Sequence, residues 1–180
     1  MKAVYWLLAG ALLSAPIAFA DPGAPSRQEQ VAAKGAGVMP FDLTRTTHFF
    51  DDNATGGVET ITANTQDAQQ IDLIRSHLAA EAKRFGHGDF SDPAKIHGAD
   101  MPGLAGLSSA GGRLRVTYSD VPGGASLTYA SEDKAIIAAI HDWFGAQRFD
   151  HAAHAHLHHM DHDMPMHHDM PPHQDTDVQQ

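Results

Sequence analysis

Cysteine is absent from all 180 residues. That excludes disulfides, thiolate zinc sites and a cysteine nucleophile. Positive charge is scarce. Twelve Lys+Arg stand against 22 Asp+Glu, giving a formal net charge of −10. A nucleic-acid binder needs a basic face to neutralise phosphates, so this balance argues against one. Aromatics make up only 7% of the chain, and residues 150–180 contain none. Beyond residue 20 no stretch is apolar enough to span a bilayer. The length suits one domain and hardly two. Histidine, by contrast, is abundant: there are 14, together with seven methionines.

Residues 1–20 predict a secretory signal peptide. Lys2 forms a positive n-region, 4–13 an apolar core, and Ala18-Phe19-Ala20 a small-residue cleavage site. The expected location is therefore periplasmic or secreted. Without cysteine, an exported domain must be held by its core alone.

The remainder divides into three compositional zones. Residues 21–38 read as a flexible lead-in, with a short helix over 28–34. Residues 39–149 hold nearly all the aromatic and branched residues. Residues 150–180 have nine His, four Met, six Asp and three Pro, with no Lys or Arg. That tail cannot bury a core and is expected to be disordered without a ligand.

The middle zone repeats itself. Gly56-Gly57 precedes an alternating segment, a helical pattern and Arg84-Phe85; Gly123-Gly124 precedes the same succession ending in Arg148-Phe149. Leu114, Val116 and Tyr118 share one strand face, and Ala125, Leu127 and Tyr129 continue it after the turn. Ala68, Ile71, Ile74, Leu78, Ala82 and Phe85 form a stripe at helical spacing, as do Ile136, Ile137, Ile140, Trp143 and Phe144. Asn64 or Thr65 can cap the first helix and Ser131 the second. The expectation is an α+β fold: two ββα repeats forming a four-stranded antiparallel sheet, with two helices on one face. A core of about 110 residues is adequate without staples.

Residues 86–104 read as a long connection between the repeats, and long connections often carry function. His97, Asp100 and Met101 put an imidazole, a carboxylate and a thioether within five residues, a possible metal set. The alternative is a capped turn leading into a short helix. His48 aligns with Val116 on an inward strand face. It is read either as a core histidine or as a site residue.

The tail carries the most specific chemistry. His151, His154, His156, His158, His159, His162, His167, His168 and His173 are imidazole ligands for copper, zinc or nickel. Met160, Met164, Met166 and Met170 lie among them. Thioether is a soft ligand that suits Cu(I), so the mixture favours copper over zinc or nickel. Protonated imidazole cannot ligate, so binding is expected to weaken below about pH 6.

The stretch H-H-M-D-H-D-M-P-M-H-H-D-M, residues 158–170, resembles the Met-Asp-His segments of periplasmic copper-resistance proteins. That resemblance implies copper binding and transfer. Residues 38–48, 88–104 and 141–147 resemble a family of small exported bacterial proteins of unassigned function, over about 38–150. Its members are often labelled aspartate carbamoyltransferase. The nearest counterpart of that enzyme's phosphate-binding element is 43–47, on an expected strand rather than at a helix N-terminus. A chain this short and exported is read here as non-enzymatic. It also has no Walker loop, no dinucleotide fingerprint and no Gly-x-Ser-x-Gly elbow.

Two functions follow as expectations. The first is an exported metal-binding protein, a copper buffer, scavenger or delivery protein using its His/Met tail. The second is an envelope interaction module with the tail as accessory. Metal ions are the expected partners, with an envelope protein as a further one; neither nucleic acid nor a membrane span is expected.

Overall fold

A computed structural model describes residues 23–151 and, as backbone, Ala155 and His156. Residues 1–20, where a signal peptide is expected, and almost all of the His/Met-rich tail lie outside the described residues. The fold is α+β, with a four-stranded antiparallel sheet, five helices and a short parallel strand at one edge. In chain order the elements are α1 (Arg27–Gly35), β1 (Thr46–Asn53), β2 (Gly56–Ala63), α2 (Ala68–Gly86), α3 (Ser91–His97) and α4 (Leu104–Ser108). Then come β3 (Arg115–Val121), β4 (Gly124–Ala130), α5 (Lys134–Asp150) and β5 (Ala155–His156). The strand order is β3-β4-β2-β1-β5.

Both hairpins turn on two residues. At Pro122-Gly123 the glycine adopts φ 76°, the left-handed conformation that a type II turn requires after proline. At Ala54-Thr55 the turn is fixed by Asn53, whose Oδ1 accepts from the Thr55 amide at 2.9 Å. The central pairing joins the hairpins antiparallel, with Glu59 opposite Leu127 and Ile61 opposite Ala125.

The long helices start at aspartates. Asp67 accepts from the amides of Gln69 and Gln70, and Asp133 from that of Ala135. The caps thus fall two or three residues beyond the positions read from the sequence. Ser131 accepts from the Asp133 amide instead and so shapes the entry to α5. Helix α2 lies over β2, β3 and β4, and α5 over β1 and β2. Ile74, Leu78 and Phe85 of α2 meet Ile140, Trp143 and Phe144 of α5 in a single core with Phe50, Ile61, Leu127 and Tyr129. Fully burying such side chains stabilises by about 2 kcal/mol each.

Two segments are more ordered than their composition suggests. Helix α1, in the zone read as a flexible lead-in, carries a complete capping box between Ser26 and Glu29. Its Val31 is buried. The connection between α2 and β3 is not an open loop but contains α3 and α4. Gly103 permits the α4 contact, since a Cβ there would lie 2.1 Å from the Ala139 carbonyl oxygen of α5.

Candidate functional site

Where α5 ends, three elements converge on Asp150. Arg27 of α1 donates to its carboxylate through Nε at 2.9 Å and Nη2 at 2.7 Å. The same Nη2 also donates to the His97 carbonyl at 2.6 Å. His97, at the end of α3, places Nδ1 2.7 Å from Asp150 Oδ2. Asp150 and His97 are both buried, while Arg27 is half exposed.

Burial is the strongest influence on both acid and imidazole here. It pulls the His97 pKa down, outweighing the hydrogen bond and charge of Asp150 that push it up. Burial pushes Asp150 up, but the hydrogen bonds and charges of Arg27 and His97 together hold it below the usual carboxylate value. A neutral imidazole therefore donates Nδ1–H to an ionised carboxylate. Nε2 keeps the ring's lone pair, the arrangement found behind metal-bound and general-base histidines.

The next residue, His151, caps α5 through its amide, which bonds the Gln147 carbonyl at 2.9 Å. Its ring lies 5.1 Å from that of His97 and stacks on that of His48 at 5.4 Å. His48 points inward from β1 and is 3% exposed. On the sheet edge, β5 pairs parallel to β1, with His48 opposite Ala155 and Phe49 opposite His156. The start of the tail is thereby held beside His48.

Behind these imidazoles lies an interior cavity of about 20 Å³, room for about one water. Its lining includes Glu59, Glu81, His48, His97, Gln147 and His151. Glu59 accepts a hydrogen bond from Tyr129 Oη at 2.8 Å. Burial, reinforced by the charge of Glu81 and opposed by that hydrogen bond, pushes the Glu59 pKa up to about 8. Trp143 Nε1 and Gln147 Oε1 are buried without hydrogen-bond partners, and both residues line this cavity. In front of the imidazoles, between α1 and β1, runs an apolar groove of about 400 Å³.

The structure gives the predicted residues different fates. His48, His97 and His151 come together. Met101 packs in the apolar core and does not line the cavity, and Asp100 is exposed. His97, Asp100 and Met101 therefore do not assemble as one ligand set. His87 bonds the Lys83 carbonyl at 2.6 Å, and His141 Nε2 donates toward the carbonyls of Asn53 and Gly56 at 3.0 and 2.9 Å, fastening the first hairpin. Among the described residues, no group of three or more His, Asp or Glu is arranged to hold a metal ion. His154, His158, His159, Met160, His162, Met164, Met166, His167, His168, Met170 and His173 lie outside the described residues.

Sequence reasoning missed Arg27, Met39, Glu59, Glu81, Gln147 and the role of Asp150. A signal existed for two of them. Glu59 shares the phase of Ile61 on β2, and Glu81 interrupts the stripe of Ile74, Leu78, Ala82 and Phe85. Acids on apolar faces mark buried carboxyls. No family model, curated protein or solved structure matches the chain.

Proposed function

We propose that this chain is an exported metal-binding protein, most suited to copper, acting as a buffer, scavenger or delivery protein. In this reading the His/Met tail gathers the ion, and a domain made of two ββα units anchors the tail. Its site of action is the periplasm or the exterior. One observation carries the reading. The ligand-rich tail leaves the domain at His151, inside a cluster of imidazoles, and its Ala155 and His156 pair with β1 beside His48. The tail's ligand chemistry supports copper, since interleaved imidazole and thioether suit both of its oxidation states. So does the tail's resemblance to Met-Asp-His copper segments.

The test compares the wild-type chain with a full-length tail variant. In that variant His158, His159, His162, His167, His168 and His173 become Gln, and Met160, Met164, Met166 and Met170 become Leu. Titration calorimetry with Cu(II) is expected to find several equivalents on the wild type and the loss of most of them in the variant. Equal stoichiometry in the two proteins would overturn the reading.

A further inference from the structure

Three residues border both the interior cavity and the outer groove: Met39, His48 and His151. They form the wall between the small cavity and the larger apolar groove. They also come from three separate parts of the chain. Met39 follows α1, with its amide bonded to the Gly35 carbonyl at 2.8 Å. His48 lies on β1, and His151 caps α5.

We propose that Met39, His48 and His151, the first imidazole of the tail, form an ordered Cu(I) site distinct from the tail ligands that follow. The inference rests on the copper reading above and deepens it by naming a fixed site inside the domain.

The donor set decides the metal. No three His, Asp or Glu among the described residues are arranged for an ion, so a site restricted to nitrogen and carboxylate ligands is not available here. Two imidazoles and a thioether are a soft, neutral, three-ligand set. Zinc has little use for the thioether, whereas Cu(I) accepts it. A neutral set also suits a buried monovalent ion, because no unpaired anionic ligand has to be desolvated with it.

The support behind the wall is already built. Arg27 and His97 pin Asp150, the residue before His151, and Arg27 belongs to the helix that leads to Met39. The Arg27–Asp150 pair therefore ties two of the three ligand positions to one another. The groove in front gives a path for the ion, and β5 delivers the tail to the same edge of the sheet.

The experiment is an anaerobic Cu(I) titration against a chromophoric chelator, using the full-length tail variant as parent. One equivalent of Cu(I) is expected to remain on that parent. Met39→Leu preserves volume and removes the thioether, and it should weaken this equivalent by about tenfold or more, equal to about 1.4 kcal/mol or more. His48→Gln should abolish it. Met101→Leu, a core methionine away from the site, should change nothing. As a second readout, Ag(I) added to the parent should shift the one methionine methyl NMR signal that Met39→Leu deletes. If the parent holds no Cu(I) while the wild type does, the ordered site is overturned and the tail reading stands. A parent equivalent that Met39→Leu does not weaken, with the Met39 methyl signal unmoved by Ag(I), also overturns the ordered site. If the parent keeps every wild-type equivalent, the tail reading falls, and the response to Met39→Leu judges the ordered site by itself.

Discussion

The inner face of the sheet changes character from one end to the other. At the β3/β4 end, Val116, Tyr118, Leu127 and Tyr129 point inward, and no buried His, Asp or Glu comes from either strand among the described residues. At the β1/β2 end the equivalent positions include His48 and Glu59, and the elements packed there add Glu81, His97 and Asp150. Both ends lie within one continuous core, with α2 over the β3/β4 end and α5 over the β1/β2 end. Burying a titratable group costs several kcal/mol unless it is paired or neutral. The β1/β2 end thus holds buried titratable groups that the β3/β4 strands lack, and it lies where the tail departs.

The difference can be broken most directly at Asp150. Asp150→Ala leaves the Arg27 guanidinium and the buried His97 Nδ1–H without their acceptor. Removing one partner of a buried pair costs about 3–5 kcal/mol, and the half-exposed Arg27 lowers this toward the bottom of the range, so the expected loss is about 3 kcal/mol. Urea unfolding at neutral pH reads it directly. A loss below about 1 kcal/mol would mean that the polar end is solvated and that the contrast with the apolar end is not energetic.

Glu59 gives an effect that depends on pH and has a definite sign. Its folded pKa is raised to about 8 from an ordinary 4.5, chiefly by burial and then by the Glu81 charge. Between those values the native chain retains a proton that the unfolded chain has released. Stability from this group therefore falls as pH rises from 4.5 to about 8. Glu59→Gln keeps an oxygen to accept from Tyr129 and removes the titration. It should stabilise the protein at pH 8 by up to about 4 kcal/mol and change little at pH 4.5. Unfolding measured at both pH values tests this. An equal change at both would show that packing, not protonation, separates the variants.

These particulars explain what was legible in the sequence. The strands and long helices were readable because Leu114, Val116 and Tyr118 alternate strictly and the stripe of Ile74, Leu78 and Phe85 has helical spacing. The sheet pairing of β2 with β4 was expected only as part of the assembly, since register between distant hairpins leaves no local trace. His97 was singled out for its neighbours Asp100 and Met101, whereas its partner is Asp150, 53 residues away. Asp150 itself read as the first residue of a solvated acidic tail. Arg27 sat in a Gly/Pro-rich segment, and its partner is that distant carboxylate. The site was hidden because each member is locally unremarkable and only tertiary contact joins them.

The smallest effect sharpens the comparison from the opposite face. Thr117 of β3 points away from the core, is exposed, and pairs across the hairpin with Thr128. Beside it β3 is the sheet's edge strand. Thr117→Ala removes a β-branched side chain and one cross-strand contact while leaving the inner face untouched. Its expected cost is therefore about 0.5 kcal/mol or less. A loss of that size, beside the far larger one at Asp150, would place the molecule's energetic asymmetry on the inner face alone. A loss several times greater, read by the same urea titration, would mean that the outer face is covered in solution and that the sheet has a second packed side.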